Sequence, residues 1–391
     1  MENKRTPDIR FAGFTGEWEQ RRLGNIGSVA MCKRIFKDQT SENGEIPFFK
    51  IGTFGASPDA FISREVFDEY RSKYPFPENG DVLISASGTI GRTVVYNGEE
   101  AYYQDSNIVW LKRDKEQVDN SFLQQFYQFV KWAGVEGSTI KRLYNNNILS
   151  TEILLPTIEE QTKLGSFFKQ LDDTIALHQQ ELTTLKQAKQ GFLQKMFPKE
   201  GESVPEVRFP GFTGDWEQRT FSELVTRVSK SSKIDELPRV EYEDIVSGQG
   251  ELNKDIFAKE SDKKGIEFEV GDTLFGKLRP YLQNWLLADF KGIAVGDWWV
   301  LRPNEMDNKF IYSLIQSSKY QTVANLSTGT KMPRSDWNVV SQTEFSVPTD
   351  KGEQAKIGQI FNQLDTLITL HQRELDVLKE MKKAFLQKMF A

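Results

Sequence analysis

The segment from residue 159 to residue 197 constrains the fold most, because its apolar positions recur at alternating intervals of four and three. This spacing is an a/d heptad seam, and it predicts a long helix that packs along another helix. A helix of this length would extend roughly 55–60 Å, which is more than a small globular block needs. The seam residues are Leu164, Phe168, Leu171, Ile175, His178, Leu182, Leu185, Lys189, Phe192 and Met196.

A second copy of this segment lies at residues 353–390, with the same alternation of spacing. The hexapeptide at 192–197 recurs unchanged at 385–390. His178 matches His371, so the two polar seam positions coincide. We expect the two helices to pair antiparallel as a pseudo-symmetric coiled coil, with the two histidines at the same level. The second seam comprises Ile357, Phe361, Leu364, Ile368, His371, Leu375, Leu378, Lys382, Phe385 and Met389.

The segment that opens the chain is also duplicated, because RFAGFTGEWEQR at 10–21 returns as RFPGFTGDWEQR at 208–219. The whole chain is therefore two half-repeats. Each half has a short glycine-rich lead, a globular block and a long helix, and we expect the lead's phenylalanine and tryptophan to dock on the block or a helix end. The predicted boundaries are 1–16 for the lead, 17–156 for the first block, 157–198 for its helix, 199–215 for the linker and second lead, 216–348 for the second block and 349–391 for the last helix.

Short apolar runs between turn residues predict β-strands in both blocks. In the first block these are 47–51, 81–85, 93–96, 107–112 and 152–155; in the second they are 271–274, 297–301 and 344–347. Helices are predicted at 120–131, capped by Asp119 or Asn120, and at 308–317. The sequence thus predicts an α+β fold, in which two pseudo-symmetric mixed α/β globular blocks are separated by a long antiparallel two-helix coiled coil.

Composition excludes several classes of protein. The 391 residues have a net charge of −6 and contain one cysteine and two histidines. One cysteine, Cys32, allows neither an internal disulfide nor a cysteine-cluster metal site. Both histidines lie in the seams, which argues against histidine-based metal or triad chemistry. No apolar run approaches the roughly 18 residues of a membrane helix, and MENKRTPDIRF lacks the apolar core of a signal peptide, so we expect a cytoplasmic protein.

Signatures of catalysis are missing from the sequence. It contains no Walker A loop, no G-x-G-x-x-G, no H-E-x-x-H and no G-x-S-x-G. Nucleophile–base pairs are also scarce when a chain has two histidines and one cysteine. We therefore predict a non-catalytic protein.

Basic and polar residues in turns recur at equivalent places of the two blocks, and they are candidates for contact with nucleic acid. Arg and Lys can contact guanine edges or phosphates, Asn and Gln can pair with adenine, and Ser and Thr can reach either. Any one of them is equally well explained as surface charge, but the recurring set favours binding. The candidates are Lys33, Arg34, Ser87, Thr89, Arg92, Lys141, Arg142, Tyr144 and Asn145 in the first block, and Arg227, Lys230, Tyr242, Lys277, Arg279, Tyr281, Gln283, Lys331 and Arg334 in the second.

Polar residues within the seams have a simpler explanation than ligand binding. A polar residue at an a or d position usually sets register or orientation, so for His178 and His371 we favour this role over that of a ligand or a switch. Lys189 and Lys382 are expected to extend outward near the helix ends. Apolar residues outside the seam favour a docking surface for other subunits over a purely solvated face. They are Phe167, Leu177, Leu193, Leu367 and Leu370.

Several of these motifs occur together in a known order. P-x-x-x-E-Q at 156–161 and P-x-x-x-x-E-Q at 348–354 lead into the duplicated heptad helices. A Gly-Asp-x-Leu strand precedes SGTIGR in the first block and GKLRPYL in the second. Over nearly its whole length the chain resembles the specificity (S) subunit of a type I restriction–modification system.

The resemblance implies a division of labour. Each block would be a target recognition domain that reads one half of a bipartite, asymmetric site in double-stranded DNA. The two helices would be conserved regions that fix the gap between the halves and dock two methyltransferase (M) subunits, and two restriction (R) subunits would join in the full complex. S-adenosylmethionine, ATP and Mg²⁺ would belong to these partners, with no cofactor bound by this chain.

Two other functions remain open from the sequence. One is a tandem β-domain binder of a ligand such as a carbohydrate on a coiled-coil stalk, using aromatic residues such as Trp285, Trp298 and Trp299. The other is an orphan DNA-binding regulator without enzyme partners. Co-purification of a methyltransferase subunit would distinguish both from a specificity subunit.

Overall fold

The computed structural model describes residues 6–133, 142–234, 236–257, 263–326 and 331–390. The chain divides into two units, the first made of Met1–Leu177 with Asp376–Ala391 and the second of His178–Leu375. Each unit holds one globular block together with parts of both long helices. The α+β prediction of two mixed blocks and two long helices is confirmed.

The heptad segments form the two longest helices among the described residues, with 38 and 39 residues. The helices are α1 (Leu23–Ile26), α2 (Arg64–Lys73), α3 (Asn120–Phe126), α4 (Asn145–Ser150), α5 (Ile158–Lys195), α6 (Phe221–Leu224), α7 (Asn308–Leu314), α8 (Ser318–Ala324), α9 (Trp337–Gln342) and α10 (Lys351–Met389). Short 3₁₀ turns lie at Lys37–Gln39, Tyr242–Asp244 and Pro280–Leu282.

The first block is built on a four-stranded sheet and a three-stranded sheet. Its strands are β1 (Glu19–Arg22), β2 (Gly27–Ala30), β3 (Ile46–Phe49), β4 (Phe61–Ile62), β5 (Val82–Ser85), β6 (Thr93–Val95), β7 (Tyr102–Tyr103), β8 (Ile108–Arg113) and β9 (Glu152–Leu155). The sheet orders are β2-β8-β5-β6 and β4-β3-β7, while β1 pairs with β9. The β1–β9 pair joins the residues just after the lead to those just before α5.

The second block repeats this plan with additions. Its strands are β10 (Glu217–Thr220), β11 (Val225–Val228), β12 (Ser231–Ser232), β13 (Arg239–Val240), β14 (Ile245–Val246), β15 (Glu251–Leu252), β16 (Gly265–Phe268), β17 (Thr273–Gly276), β18 (Trp285–Leu287), β19 (Gly292–Ala294), β20 (Trp298–Pro303) and β21 (Glu344–Val347). The sheet β11-β20-β17-β18 has the same order as β2-β8-β5-β6, and β10 pairs with β21 as β1 pairs with β9. The second sheet differs, since it is β12-β16-β19-β13.

The repeated hexapeptide docks its last phenylalanine in equivalent places of the two units. In the first unit, Phe390 stacks on Phe122 at a ring-centroid distance of 5.2 Å and meets Trp18 edge-on at 6.2 Å. In the second unit, Phe197 lies 5.9 Å from Phe310 and 6.4 Å from Trp216. The lead tryptophans are therefore core residues, as expected, and each core is completed by the end of a long helix.

A buried ion pair ties each lead to the first turn of a long helix. The guanidinium of Arg10 donates to both carboxylate oxygens of Glu160 at 2.7 Å, and Arg208 does the same to Glu353 at 2.6 and 2.8 Å. Both glutamates are 1 % exposed, and such a bidentate pair holds its partners in one orientation. Each arginine also donates to backbone carbonyls of its own lead, for example Arg10 to Gly16 at 2.6 Å.

The glutamine that follows each of these glutamates binds the block. The side-chain oxygen of Gln161 accepts from the backbone N–H of Asp119 at 2.9 Å, and that of Gln354 accepts from Asp307 at 3.1 Å. Asp119 and Asp307 are the caps of α3 and α7. The Glu-Gln dipeptide therefore joins lead, block helix and long helix in each unit.

The seams are buried or half-buried at every a and d position. In the first unit the end of α10 packs beside the start of α5, because Phe390 lies 5.8 Å from Phe168. In the second unit Phe197, just after α5, lies 6.0 Å from Phe361 near the start of α10. The helix segments therefore run antiparallel within each unit.

The expectation that the seam lysines extend outward is wrong. Lys189 is 11 % exposed and lies 2.5 Å from a carboxylate oxygen of Asp365, while Lys382 is 17 % exposed and lies 2.6 Å from Asp172. Each lysine finds a carboxylate on the opposite helix of its own unit, and pairing is what permits a cation to stay inside.

Each predicted strand overlaps a strand of the structure, but many strands, for example β2, β7, β16 and β19, were not predicted. The strands at 152–155 and 344–347 have the predicted bounds. The helix predicted at 120–131 ends at Phe126, because the chain then turns to place Phe129 4.9 Å from Phe390. The helix predicted at 308–317 is two helices, α7 and α8, and Ser317 caps the second. The short helices α1, α2, α4, α6 and α9 were missed.

A glycine in each long helix allows a short helix of the adjacent block to pack closely against it. A Cβ at Gly165 would lie 2.5 Å from the Cβ of Ser121, and one at Gly358 would lie 2.7 Å from the backbone nitrogen of Phe310. Nothing lies within 4 Å of a Cβ built at Gly191, which is also in α5. The first two glycines are therefore required by packing, and Gly191 is not.

We predict that Gly358→Ala destabilises the protein by about 1–3 kcal/mol, because overpacking against backbone cannot be relieved by a rotamer change. Gly191→Ala is the matched control, and it should stabilise by about 0.5–1 kcal/mol since alanine favours a helix. Thermal unfolding measures both. A Gly358→Ala protein as stable as Gly191→Ala would contradict the close packing.

Candidate nucleic-acid interface

In the second block, the turn that follows β17 meets the basic segment that precedes α9. Leu278 and Arg334 form a β-bridge, and the backbone N–H of Ser335 donates to the carbonyl of Lys277 at 2.8 Å. The N–H of Arg279 donates to the carbonyl of Pro333 at 2.8 Å. Two segments more than fifty residues apart in sequence are thus joined into one surface, which we call the second junction.

Asp297 organises the charges of the second junction. Arg334 lies 3.0 Å and Lys277 3.6 Å from its carboxylate, which carries one negative charge against two positive charges. The hydrogen bond from Arg334 holds the pKa of Asp297 below its ordinary value, so this carboxylate is ionised at neutral pH. The remaining positive charge lies at the surface, since the Arg334 side chain is 52 % exposed.

The first block has a junction at the equivalent place. Ser87 and Arg142 form a β-bridge, and the N–H of Leu143 donates to the carbonyl of Ala86 at 2.7 Å. The hydroxyl of Ser87 contacts the side-chain oxygen of Asn107 at 2.9 Å. The Asn107 position, just before β8, corresponds to Asp297 just before β20. The first junction therefore repeats the backbone geometry of the second with different side chains.

Arg34 reaches the same region of the first block. Its guanidinium lies 4.0 Å from Asp105, and Arg142 donates to the carbonyl of Ser106 at 2.9 Å. The Arg34 side chain is 68 % exposed. The first junction therefore has Arg34 beside the Asp105 carboxylate and Arg142 on the next residue's carbonyl.

Other candidates lie at the surface of these turns. Tyr144 and Tyr281 are 64 % and 54 % exposed, and exposed aromatic rings can stack on bases. Arg279 and Gln283 adopt positive φ angles of 49° and 56°, which fix the direction of the turn they bracket. The Nε atom of Arg279 is buried and has no hydrogen-bond partner among the described residues. Thr89, Asn145 and Lys331 are exposed as well.

Several candidates have structural partners instead. Tyr242 stacks on Trp298 at 4.6 Å, and burial raises its pKa. Its hydroxyl donates to the carbonyl of Asp297 at 2.5 Å, which occupies the hydroxyl proton. Lys230 pairs with buried Glu267 at 2.9 Å, and Arg227 lies 4.8 Å from the ring of Trp337. All three residues have a partner within the block, and Arg227 and Lys230 are also exposed at its surface.

The remaining first-block candidates are also held by local contacts. Arg92 donates to the carbonyl of Phe54 at 2.6 Å, and the ammonium of Lys33 lies 4.9 Å from the ring of Tyr74. Lys141 lies outside the described residues. The role of each candidate in DNA contact stays a prediction.

Sequence reasoning missed Asn107 and Asp297, the residues on which the junctions are built. The available sequence signal was their equivalent position before a tryptophan-bearing strand. The structure adds that each follows a residue with positive φ, Ser106 at 54° and Gly296 at 105°. Such a backbone turn presents the next side chain to the junction.

The aromatic residues considered for carbohydrate binding are not available at the surface. Trp285, Trp298 and Trp299 are 3 %, 0 % and 3 % exposed. The observation that favoured this function is therefore removed. Within the described part of the chain, no helix combines the length and apolar character that crossing a membrane requires.

The profile of the type I restriction modification DNA specificity domain matches residues 15–187 and 214–380. These two matches cover most of the chain, one in each half-repeat. The chain therefore belongs to the family of type I restriction–modification DNA specificity proteins and carries two copies of the domain.

Individual relatives agree with this assignment. The chain is 53 % identical over 150 residues to a protein of Haemophilus influenzae described as a type I restriction enzyme specificity subunit, an alignment that spans 38 % of this chain and 39 % of the relative. It is 22 % identical to the EcoDI specificity subunit of Escherichia coli over 96 % of this chain and 88 % of the relative. The S subunit structure of M. genitalium shares the fold, with a TM-score of 0.67, 14 % identity and 99 % coverage of both chains.

We predict that Lys277→Ala or Arg334→Ala weakens recognition of one half of a DNA target, while Arg142→Ala weakens the other half. Loss of one base contact should cost about 1–3 kcal/mol of discrimination at that half. Methylation-site sequencing of cells that express each variant with its methyltransferase measures this. Lys199→Ala, on an exposed loop, is the control. Equal loss at both halves would indicate a non-specific phosphate role.

Proposed function

We propose that this chain is the DNA-recognition subunit of a type I restriction–modification complex, in which each block reads one half of a bipartite, asymmetric target. The observation that carries the proposal is the pair of junctions. They share backbone geometry, since Ser87 pairs with Arg142 as Leu278 pairs with Arg334. Their exposed side chains differ, which is what two readers of different sequences require.

The charge at each junction supports contact with a polyanion. Around Asp297 two cations face one carboxylate, so this surface keeps a positive excess although the chain is acidic overall. In the first block, Arg34 lies beside Asp105 and Arg142 donates to the neighbouring carbonyl of Ser106. Local excess of this kind supplies phosphate contacts, and the directed side chains supply base readout.

We further propose that α5 and α10 set the gap between the two halves of the target. Each helix contributes residues to both units, so the helix is the covalent connection between them and its length sets how long that connection is. The seam is continuous in sequence through 38 residues of α5 and 39 of α10.

Two methyltransferase subunits are proposed to dock on the outer faces of these helices. Leu367 and Leu370 of α10 are 42 % and 49 % exposed, and Leu177 of α5 is 55 % exposed. Phe167 and Leu193 pack instead against the cores of their own units. The docking proposal therefore rests on the first three residues.

Chemistry is proposed to reside in the partners of this subunit. S-adenosylmethionine would be bound by the methyltransferase subunits, and ATP and Mg²⁺ would serve two restriction subunits in the full complex. The chain itself would be non-catalytic and would act in the cytoplasm, where the DNA is. An orphan DNA-binding regulator remains the second candidate, and it would share the junctions but recruit no methyltransferase.

We predict that lengthening both helices lengthens the gap without changing either half-target. Seven residues inserted between Leu177 and His178, and seven between His371 and Gln372, preserve the heptad seam and add about 10.5 Å of helix, or about three base pairs. Methylation-site sequencing reports the gap. The same seven residues placed after Gly201 in the exposed loop are the control. Changed half-targets with an unchanged gap would refute the role of the helices.

We also predict that Leu367→Lys with Leu370→Lys reduces co-purification of the methyltransferase at least tenfold, because two charges would be buried at the interface. Val339→Lys replaces an apolar residue of similar exposure (41 %) on α9 and should leave the complex intact. Full co-purification of the α10 variant would refute this docking face, and a chain that binds DNA but no methyltransferase would favour the orphan regulator.

A further inference from the structure

Four polar side chains converge where α5 and α10 face each other in the second unit. His178 and Glu181 come from α5, and His371 and Glu374 come from α10. A spacing of three places each histidine and glutamate on one helix face. The motif His-x-x-Glu therefore occurs once on each helix, in pseudo-symmetric positions.

The distances within this group are short and nearly equal. The Nδ1 atoms of His178 and His371 are 3.4 Å apart. The Oε2 atom of Glu374 lies 3.5 Å from Nδ1 of His178 and 3.8 Å from Nδ1 of His371. The Oε2 atom of Glu181 mirrors this, at 3.5 Å from His371 and 3.8 Å from His178. Ligand atoms of His178, His371 and Glu374 all lie within 4.8 Å of one another.

The group needs positive charge. Two carboxylates bring two negative charges, and the lone pair of a neutral imidazole at Nδ1 is also an electron donor. The histidine side chains are 23 % and 21 % exposed and the glutamate side chains 44 % exposed, so an ion could enter from solvent and still contact the half-buried imidazoles. A cation between the two helices would satisfy all of these donors at once.

The geometry and the donor types point to zinc. Zn–N and Zn–O distances of about 2.0–2.2 Å in a tetrahedron place neighbouring ligand atoms about 3.3–3.6 Å apart. The distances of 3.4 Å between the imidazoles and 3.5 Å from His178 to Glu374 fall in this range, and the 3.8 Å from His371 to Glu374 is slightly longer. Imidazole nitrogen with carboxylate oxygen suits Zn²⁺, whereas Mg²⁺ and Ca²⁺ prefer oxygen alone. We propose that His178, His371 and Glu374 bind a Zn²⁺ ion, and that Glu181, which lies near both imidazoles, can move to the fourth ligand site.

The surrounding seam supports such a site. Leu182 and Leu375, each four residues after a histidine, are 2 % and 1 % exposed. They hold the two helix backbones together beside the polar group, and rigid backbones keep ligand atoms in place without an ion. The register role first assigned to these histidines is then performed by metal ligation, because a helix displaced by one turn could not supply both imidazoles to one ion.

Zinc titration of the full chain tests this inference. After chelator treatment and dialysis, calorimetry with ZnCl₂ should show one ion bound per chain, and the ion should raise the melting temperature. Removal of an outer-shell partner of a metal site commonly lowers metal affinity 10–100-fold. His178→Asn and His371→Asn each remove a direct ligand, so each should lower zinc affinity at least about 100-fold. Glu374→Gln should weaken binding as well. Glu380→Gln, an exposed glutamate of the same helix, is the matched control and should bind zinc as the unchanged chain does.

Cobalt spectroscopy of the unchanged chain provides a second test that does not depend on the folding of a variant. Co²⁺ in this site should show the intense visible absorption of four-coordinate cobalt, and zinc should displace it. The inference is overturned if the unchanged chain binds no zinc, if cobalt shows only its six-coordinate spectrum, or if folded His178→Asn and His371→Asn proteins bind zinc with unaltered affinity. The last result would mean that the ion binds elsewhere, and the first would mean that no metal ion is held between the two histidines.

Discussion

The buried ion pair at the start of each long helix is the interaction on which both units depend. Glu160 and Glu353 are almost fully excluded from solvent, and a carboxylate in that position must be neutralised by a directed partner. The lead arginine supplies it and is itself held by carbonyls of the lead. The neighbouring glutamine binds the cap of a block helix, so one dipeptide locks three otherwise separate segments. This explains why the Glu-Gln motif and the Arg-Phe-x-Gly-Phe lead are repeated together although the block interiors differ.

The two units share a strand order in one sheet, and they differ in the side chains that their turns expose. The sheets β2-β8-β5-β6 and β11-β20-β17-β18 have one strand order, and both carry a bridge to a basic segment at the same point. Beyond that point the side chains differ. The first block has Ser87 and Asn107, and the second has a lysine-bearing turn and Asp297. A frame of this kind separates stability from specificity, since the core contacts need not change when the exposed turn does.

Long-range features were easier to predict from the sequence than local ones. The heptad seams and the repeated hexapeptide specified two paired helices, because a continuous apolar stripe has few alternative ways to be buried. The short helices α1, α2, α4, α6 and α9 escaped prediction because they have too few turns for a clear period, and tertiary packing decides them. The junctions could be predicted only as a set of basic residues. Their anchors, Asn107 and Asp297, are polar residues of common type whose importance comes from contacts with segments distant in sequence. The charge pairs of Lys189 and Lys382 were misjudged for the same reason, since their partners are on the opposite helix.

The way the chain closes its two units gives them different histories during synthesis. The second unit is a continuous stretch, and every residue of its core has been made once α10 is well under way. One of the two core clusters of the first unit lacks Phe390 and Met389 until the last part of α10 has left the ribosome. The aromatic cluster around Trp18 and Phe122 therefore stays incomplete while nearly two hundred further residues are translated. The other core cluster of the first block, built from residues between Cys32 and Trp110, needs no part of α10, so the chain can complete it early and the cluster around Trp18 only at the end.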